Sequence, residues 1–105
     1  MSTDSPAVRK ERVDDQTVRA ELRIVNRLGL HARAAARFVE TANRFEADVT
    51  VANGEESVSG KSILGLMMLA AAEGTSLTVV ATGRDADAAV DALAELVAAR
   101  FHEPS

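Results

Sequence analysis

Apolar and polar positions alternate over residues 18–25. Val18, Ala20, Leu22 and Ile24 share one face, and Arg19, Glu21 and Arg23 share the other. A period of two predicts a half-buried strand. Asn26-Arg27-Leu28-Gly29 breaks it. Over residues 32–44 the period lengthens. Ala35, Phe38, Val39, Ala42 and then Phe45 form one helical stripe, with Arg33, Arg37, Glu40 and Arg44 opposite. Alternation returns through Ala47, Val49 and Val51, predicting a strand over 46–52. Asn53-Gly54 is a tight-turn signal, after which Ser57-Val58-Ser59 comes back as a short strand. Residues 62–72 are nearly all apolar after Ser62, a good helix N-cap, and Gly74 is a natural stop. Residues 76–82 read as a strand. Gly83-Arg84-Asp85 turns the chain, with Asp85 as N-cap of a helix over 86–101. That helix carries a stripe of Ala86, Val90, Leu93, Val97 and Phe101.

The order β-α-β-β-α-β-α predicts an α+β two-layer sandwich, one sheet with its helices segregated to one face. Residues 18–105 make this single domain. Residues 1–17 hold seven charges, one proline and no apolar periodicity, which predicts a mobile extension. A short amphipathic element around Val8 to Val13 is the one structure its pattern offers.

Composition narrows the function. The chain has 105 residues, 47% hydrophobic and 27% charged, so wholesale disorder is excluded. It has no cysteine, hence no disulfide, thiolate metal site or cysteine nucleophile. The two histidines, His31 and His102, lie far apart in sequence, and no metal site or cofactor is expected. No apolar run reaches the ~18–20 residues of a membrane span, and no secretory signal is visible, so the cytoplasm is the expected compartment. The net charge of -4 argues against a general nucleic-acid binder, as does the lack of tyrosine and tryptophan. The charge is unevenly spread. Residues 18–45 carry six arginines and two glutamates, whereas residues 46–105 carry three basic and ten acidic side chains. Arginine gathered around one histidine points to an anion handled there, although segregated surface charge alone gives the same pattern.

Gly29-Leu30-His31-Ala32-Arg33 lies where a loop becomes a helix. A helix start offers unpaired N–H groups and a partial positive charge, a ready anion site. Arg33 in the first turn adds a phosphate-matching fork. The same surroundings favour a neutral imidazole, free to act as nucleophile. Such a histidine can accept a phosphoryl group and hold it without hydrolysis, since no acidic base or metal ligand is adjacent in sequence. The alternative is a histidine that merely caps the helix or satisfies a loop carbonyl. Gly60-Lys61-Ser62 ends like a nucleotide-binding P-loop, but the required glycine falls at Glu55, so a nucleoside triphosphatase is rejected. Ser62 is an N-cap at which a phosphate costs little structure. The residues after it cannot all face one core. Ile63, Leu64 and Met67 are expected to be exposed as a contact patch.

Leu28-Gly29-Leu30-His31-Ala32-Arg33, followed some thirty residues later by Gly60-Lys61-Ser62, resembles HPr, the histidine phosphocarrier of the bacterial phosphotransferase system. The likeness covers about residues 18–102. Val25-Asn26-Arg27-Leu28-Gly29, Leu66-Met67-Met68-Leu69 and Ala81-Thr82-Gly83 look nearest its nitrogen-branch form, NPr. The resemblance implies an open-faced sandwich, three helices on one face of a four-stranded antiparallel sheet. It implies that enzyme I phosphorylates His31 on Nδ1 from phosphoenolpyruvate and that an enzyme IIA takes the group on. It implies that Arg33 positions that group, that Ser62 is a regulatory site for an HPr kinase/phosphorylase, and that Ile63, Leu64 and Met67 dock partners. Such a carrier is a substrate of phosphotransferases more than a catalyst, and a monomer is expected. The circuit, sugar transport or nitrogen regulation, stays open. One residue departs from the family pattern: Ala34 stands where proline usually follows the arginine. Alanine keeps the helix but does not lock its start. A rival reading is a regulatory interaction module that works through Ser62 and the 62–68 patch without a histidine relay. A third is an effector-binding domain with no phosphate chemistry.

Overall fold

A computed structural model describes residues 9–103. Within them the chain runs through strands β1 (Arg9–Asp14) and β2 (Thr17–Arg23), helix α1 (Ala32–Ala42), strands β3 (Asp48–Asn53) and β4 (Glu56–Ser59), helix α2 (Ile63–Met68), strand β5 (Ser76–Thr82) and helix α3 (Ala86–Ala98). A three-residue turn, Arg100–His102, follows. The strands form one sheet in the order β1-β2-β5-β3-β4, every neighbouring pair antiparallel.

The alternation does what its period requires. Val18, Ala20 and Leu22 of β2, Val49 and Val51 of β3, and Leu77, Val79 and Ala81 of β5 are buried on one face. Phe38 of α1, Leu66 of α2, and Val90 and Leu93 of α3 close over them. The open face keeps Arg19, Arg23, Asp48 and Thr50 in water. This is the expected α+β sandwich with three helices. No helix among the described residues is long and apolar enough to cross a membrane.

The sheet has five strands where four were expected. Residues 9–14, assigned above to a mobile extension, form β1. Of the rest of that extension, Asp15 and Gln16 turn the chain and Thr17 opens β2, while residues 1–8 lie outside the described residues. All six residues of β1 are exposed, so apolar burial does not hold it. Charge does. Across the ladder Arg9 stands opposite Glu21 and Glu11 opposite Arg19, complementary pairs on the open face. On the helix side Lys10 Nζ lies 2.8 Å from Asp87 and 2.7 Å from Asp91 of α3, and Arg12 pairs with Asp87. The short amphipathic element read around Val8 to Val13 overlaps this strand, whose residues bury no apolar face.

Smaller differences concern helix ends: α3 stops at Ala98 where a helix to residue 101 was expected, because Arg100–His102 turn left-handed. The apolar run predicted a helix to residue 72, but α2 stops at Met68. Ala70 is left-handed (φ +51°), and Leu69 and Ala71 turn into the core. Asp85 does not cap α3 with its side chain. Its Oδ2 instead accepts from the Glu46 N–H at 2.8 Å, tying the α3 start to the β3 approach.

The β1 clasp is ionic and exposed, so each pair contributes only ~0–1 kcal/mol. The Lys10 ammonium beside it holds the Asp87 carboxyl below the usual range, against a smaller upward push from burial. A depressed carboxylate contributes stability above its unfolded value and loses that contribution as pH falls through the folded one. Amide protection over residues 9–14 is therefore expected to fall as pH drops below the ordinary carboxylate range. It should also fall in roughly 1 M salt, where screening is short-ranged. Protection in β5 should hold. Hydrogen exchange resolved by residue checks this; equal protection of β1 in low and high salt would contradict the ionic account.

Candidate functional site

The segment after β2 builds the site. Asn26 is fully buried. Its Nδ2 donates to the Gly29 carbonyl at 2.8 Å and to Glu103 Oε1 at 3.1 Å. Two acceptors on one side force the amide nitrogen to face them. The consequence is an Oδ1 that is buried with no partner among the described residues. Gly29 then takes φ +69°, a left-handed turn that glycine adopts without strain. A Cβ there would also lie 2.5 Å from the Ala71 carbonyl oxygen. That carbonyl accepts from the Leu30 N–H at 2.9 Å, so the loop lies tightly against the 69–72 segment.

His31 follows in extended conformation and is the N-cap of α1. Its Nδ1 accepts from the Arg33 N–H at 3.3 Å. The first helical bond, from Ala35 N–H to the His31 carbonyl at 2.8 Å, forms with Ala34 in place of proline. The capping role weighed as the alternative for His31 is thus present, and it leaves the ring accessible: the side chain is 30% exposed. The Arg33 side chain is exposed, and among the described residues no carboxylate pairs with it.

On its other edge, His31 Nε2 is hydrogen-bonded to Glu103 Oε2. The Glu103 side chain is only 7% exposed. Burial pushes its carboxyl up, but hydrogen bonds from His31 and Asn26 and the nearby Arg37 charge outweigh that and hold it below the usual range. The turn before it delivers this carboxylate. Arg100, Phe101 and His102 are all left-handed, with φ between +56° and +60°. Phe101 is fully buried, and Arg37 donates to its carbonyl. Arg37, expected on the water-facing stripe of α1, is instead half-buried and clamps this turn. His102 is exposed.

Sequence reasoning missed Asn26 and Glu103. Asn26 stood out only as a strand breaker. Glu103 lies 72 residues from the histidine it touches, and a lone acid beyond the last helix gives no periodic signal.

The second group sits on α2. Ser62 Oγ accepts from the Gly65 N–H at 2.9 Å, the cap its sequence predicted. Gly60 permits the close approach there, since a Cβ would stand 2.5 Å from Val49 Cγ1. Ile63, Leu64 and Met67 are exposed, as expected, and Leu66 and Leu69 are buried. Leu64 is 69% exposed, and Met68, not singled out from the sequence, is 68% exposed. α1 and α2 pack against each other, so both groups belong to neighbouring helices.

An antiparallel sheet layered with three helices, with a histidine at the N-cap of the first, is an arrangement that known proteins share. A family model described as the PTS HPr component phosphorylation site matches residues 18–99. The chain is 46% identical over 85 residues to the phosphocarrier protein NPr of Shewanella violacea, covering 81% of this chain and 93% of that one. It is 51% identical over 84 residues to the phosphocarrier protein HPr of Pseudomonas aeruginosa, covering 79% and 93%. A crystal structure of HPr from Thermoanaerobacter tengcongensis superposes with a TM-score of 0.79 at 37% identity, covering 83% of this chain and 98% of that one. The chain belongs to the HPr/NPr family of phosphotransferase-system phosphocarriers. The family match starts at residue 18, so β1 precedes it.

Two stability outcomes follow from the local geometry. Gly29→Ala is expected to cost about 1–3 kcal/mol, from a strained φ and a Cβ against a carbonyl. Ser62→Ala is expected to cost about 1 kcal/mol through loss of the cap. Urea unfolding midpoints measure both; a neutral Gly29→Ala would mean that the loop relaxes away from Ala71.

Proposed function

We propose that this chain relays a phosphoryl group through His31, from phosphoenolpyruvate-charged enzyme I to an enzyme IIA, in the cytoplasm and as a monomer. The observation that carries the reading is the Arg33 N–H donating to His31 Nδ1. A ring nitrogen that accepts holds its lone pair, and this lone pair faces the start of α1. In the transfer, that pair attacks the donor's phosphorus. A P–N bond forms on His31, the bond from phosphorus to the donor's leaving atom breaks, and its electron pair stays with the donor. The phosphoryl oxygens then meet the unpaired amides of the first turn and the Arg33 fork. Onward transfer to the acceptor runs the same steps in reverse.

Ile63, Leu64 and Met67, with Met68, supply the docking surface in this reading. Apolar residues at 40% exposure or more on a six-residue helix fit a surface that meets more than one partner. Ser62 serves as a regulatory site for an HPr kinase/phosphorylase. Its place at the α2 start, next to exposed Ile63 and Leu64, supports that role, since phosphate there adds charge in the midst of the docking residues.

Incubation with enzyme I and phosphoenolpyruvate tests the relay. One acid-labile phosphoryl group is expected by intact mass, mapped to His31 and absent in His31→Ala. Arg33→Ala should charge about 10–100-fold more slowly, the range for losing one charge-assisted contact. Full transfer by His31→Ala would defeat the relay. An acid-stable group confined to Ser62 would favour the regulatory module instead.

A further inference from the structure

We infer that Glu103, held by Asn26, is a positioning residue that keeps the His31 proton on Nε2 and so fixes Nδ1 as the nitrogen that takes the phosphoryl group. The inference rests on the relay reading for its consequence, although the proton's place can be read without any transfer.

Three independent features meet at this carboxylate. First, both its oxygens are engaged, Oε1 by Asn26 Nδ2 at 3.1 Å and Oε2 by His31 Nε2. A carboxylate only accepts, so the ring nitrogen facing it must be the one that carries hydrogen. The Arg33 N–H on the opposite edge imposes the same tautomer, because a donor there needs a lone pair on Nδ1. Second, the support is built from buried parts. Asn26 is fully buried and leaves its Oδ1 unpaired among the described residues, while its nitrogen serves Gly29 and Glu103. Third, the backbone that brings Glu103 back is held in an uncommon conformation. Three consecutive non-glycine residues are left-handed, pinned by buried Phe101 and by Arg37 on the Phe101 carbonyl. Strain kept in place by surrounding contacts marks a position that is put to use.

The chemistry follows. With hydrogen fixed on Nε2, the Nδ1 lone pair attacks phosphorus and no proton needs to move. The ring that results carries positive character, and the carboxylate beside Nε2–H is placed to balance it. In the other tautomer Nδ1 bears hydrogen, and the P–N bond cannot form there until that proton leaves. The arrangement parallels a carboxylate that orients a catalytic histidine through one ring nitrogen while the other reacts.

The test compares the native chain with Glu103→Gln and Asn26→Leu by 15N NMR of the His31 ring near pH 8, before any phosphorylation. The native ring is expected as a single Nε2–H tautomer. The glutamine of the Glu103→Gln variant can turn its amide nitrogen toward Nε2 and donate to a ring lone pair there, so a mixture is expected. Asn26→Leu, which keeps the site filled but frees Glu103, should give a partial mixture. Charging by enzyme I should slow about tenfold in Glu103→Gln, with Glu103→Asp recovering part of the rate. A native ring found as Nδ1–H, or a Glu103→Gln ring still wholly Nε2–H and charged within twofold of native, would overturn the inference. Should the native chain show the expected tautomer yet accept no phosphoryl group, the relay reading fails while the positioning by Glu103 stands.

Discussion

The pairing of β2 with β5 is the interaction on which the rest hangs, because it does not stop where the strands end. Beyond Arg23, the Ile24 N–H donates to the Thr75 carbonyl at 2.8 Å and the Gly74 N–H returns to the Ile24 carbonyl at 2.7 Å. Leu30 then reaches the Ala71 carbonyl. The loop that leads to His31 is therefore laced to a segment more than forty residues away, as a continuation of the sheet. Such lacing satisfies buried backbone groups that would otherwise be costly. It also explains the premature end of α2. Ala71 can accept from Leu30 only if the chain leaves the helix, and the left-handed Ala70 is where it leaves.

Much of this was legible one element at a time. β2, β3 and β5 follow from period-two alternation with one face buried. The β3–β4 turn follows from Asn53-Gly54, with Gly54 at φ +65°. Ser62 caps α2 as its residue type predicts, and the exposed trio Ile63, Leu64 and Met67 follows from the excess of apolar residues over what six helical positions can bury. What stayed hidden depends on partners far along the chain. β1 has no apolar face, so its register is written only in charges on β2 and α3. The last turn of an apolar run looks helical locally, and only a tertiary acceptor shows otherwise. Arg37 sits on the polar side of its own helix, yet the C-terminal turn folds over it. Asn26, Glu103 and His31 meet from three separate segments, a juxtaposition that no periodicity encodes.

The two halves of the site use different physics. Around His31 the groups are polar, directional and few: one amide, one carboxylate, one exposed guanidinium. On α2 the surface is apolar and adaptable, anchored by Leu66 and Leu69 beneath it. In the proposed relay the first half sets the chemistry and the second admits successive partners, so affinity for a partner can change without disturbing the nitrogen that reacts. A carrier needs that separation. Its phosphoryl group must be held well enough to survive, and weakly enough to leave.

The C-terminal turn shows how such positioning is sustained. Three left-handed residues with side chains cost roughly 1–2 kcal/mol each, about 3–6 kcal/mol together. Full burial of Phe101 returns ~1.5–3 kcal/mol. Charge-assisted bonding at the Glu103 carboxylate returns about the same. The terms nearly cancel, so the turn persists only while its contacts are made. The low-lying Glu103 carboxyl fits this balance. Its pairing contributes to stability at and above the ordinary carboxylate range, and that contribution fades as pH falls through the folded value. Near neutrality the carboxylate is ionised and fully engaged. These contacts together hold the Glu103 carboxylate against His31.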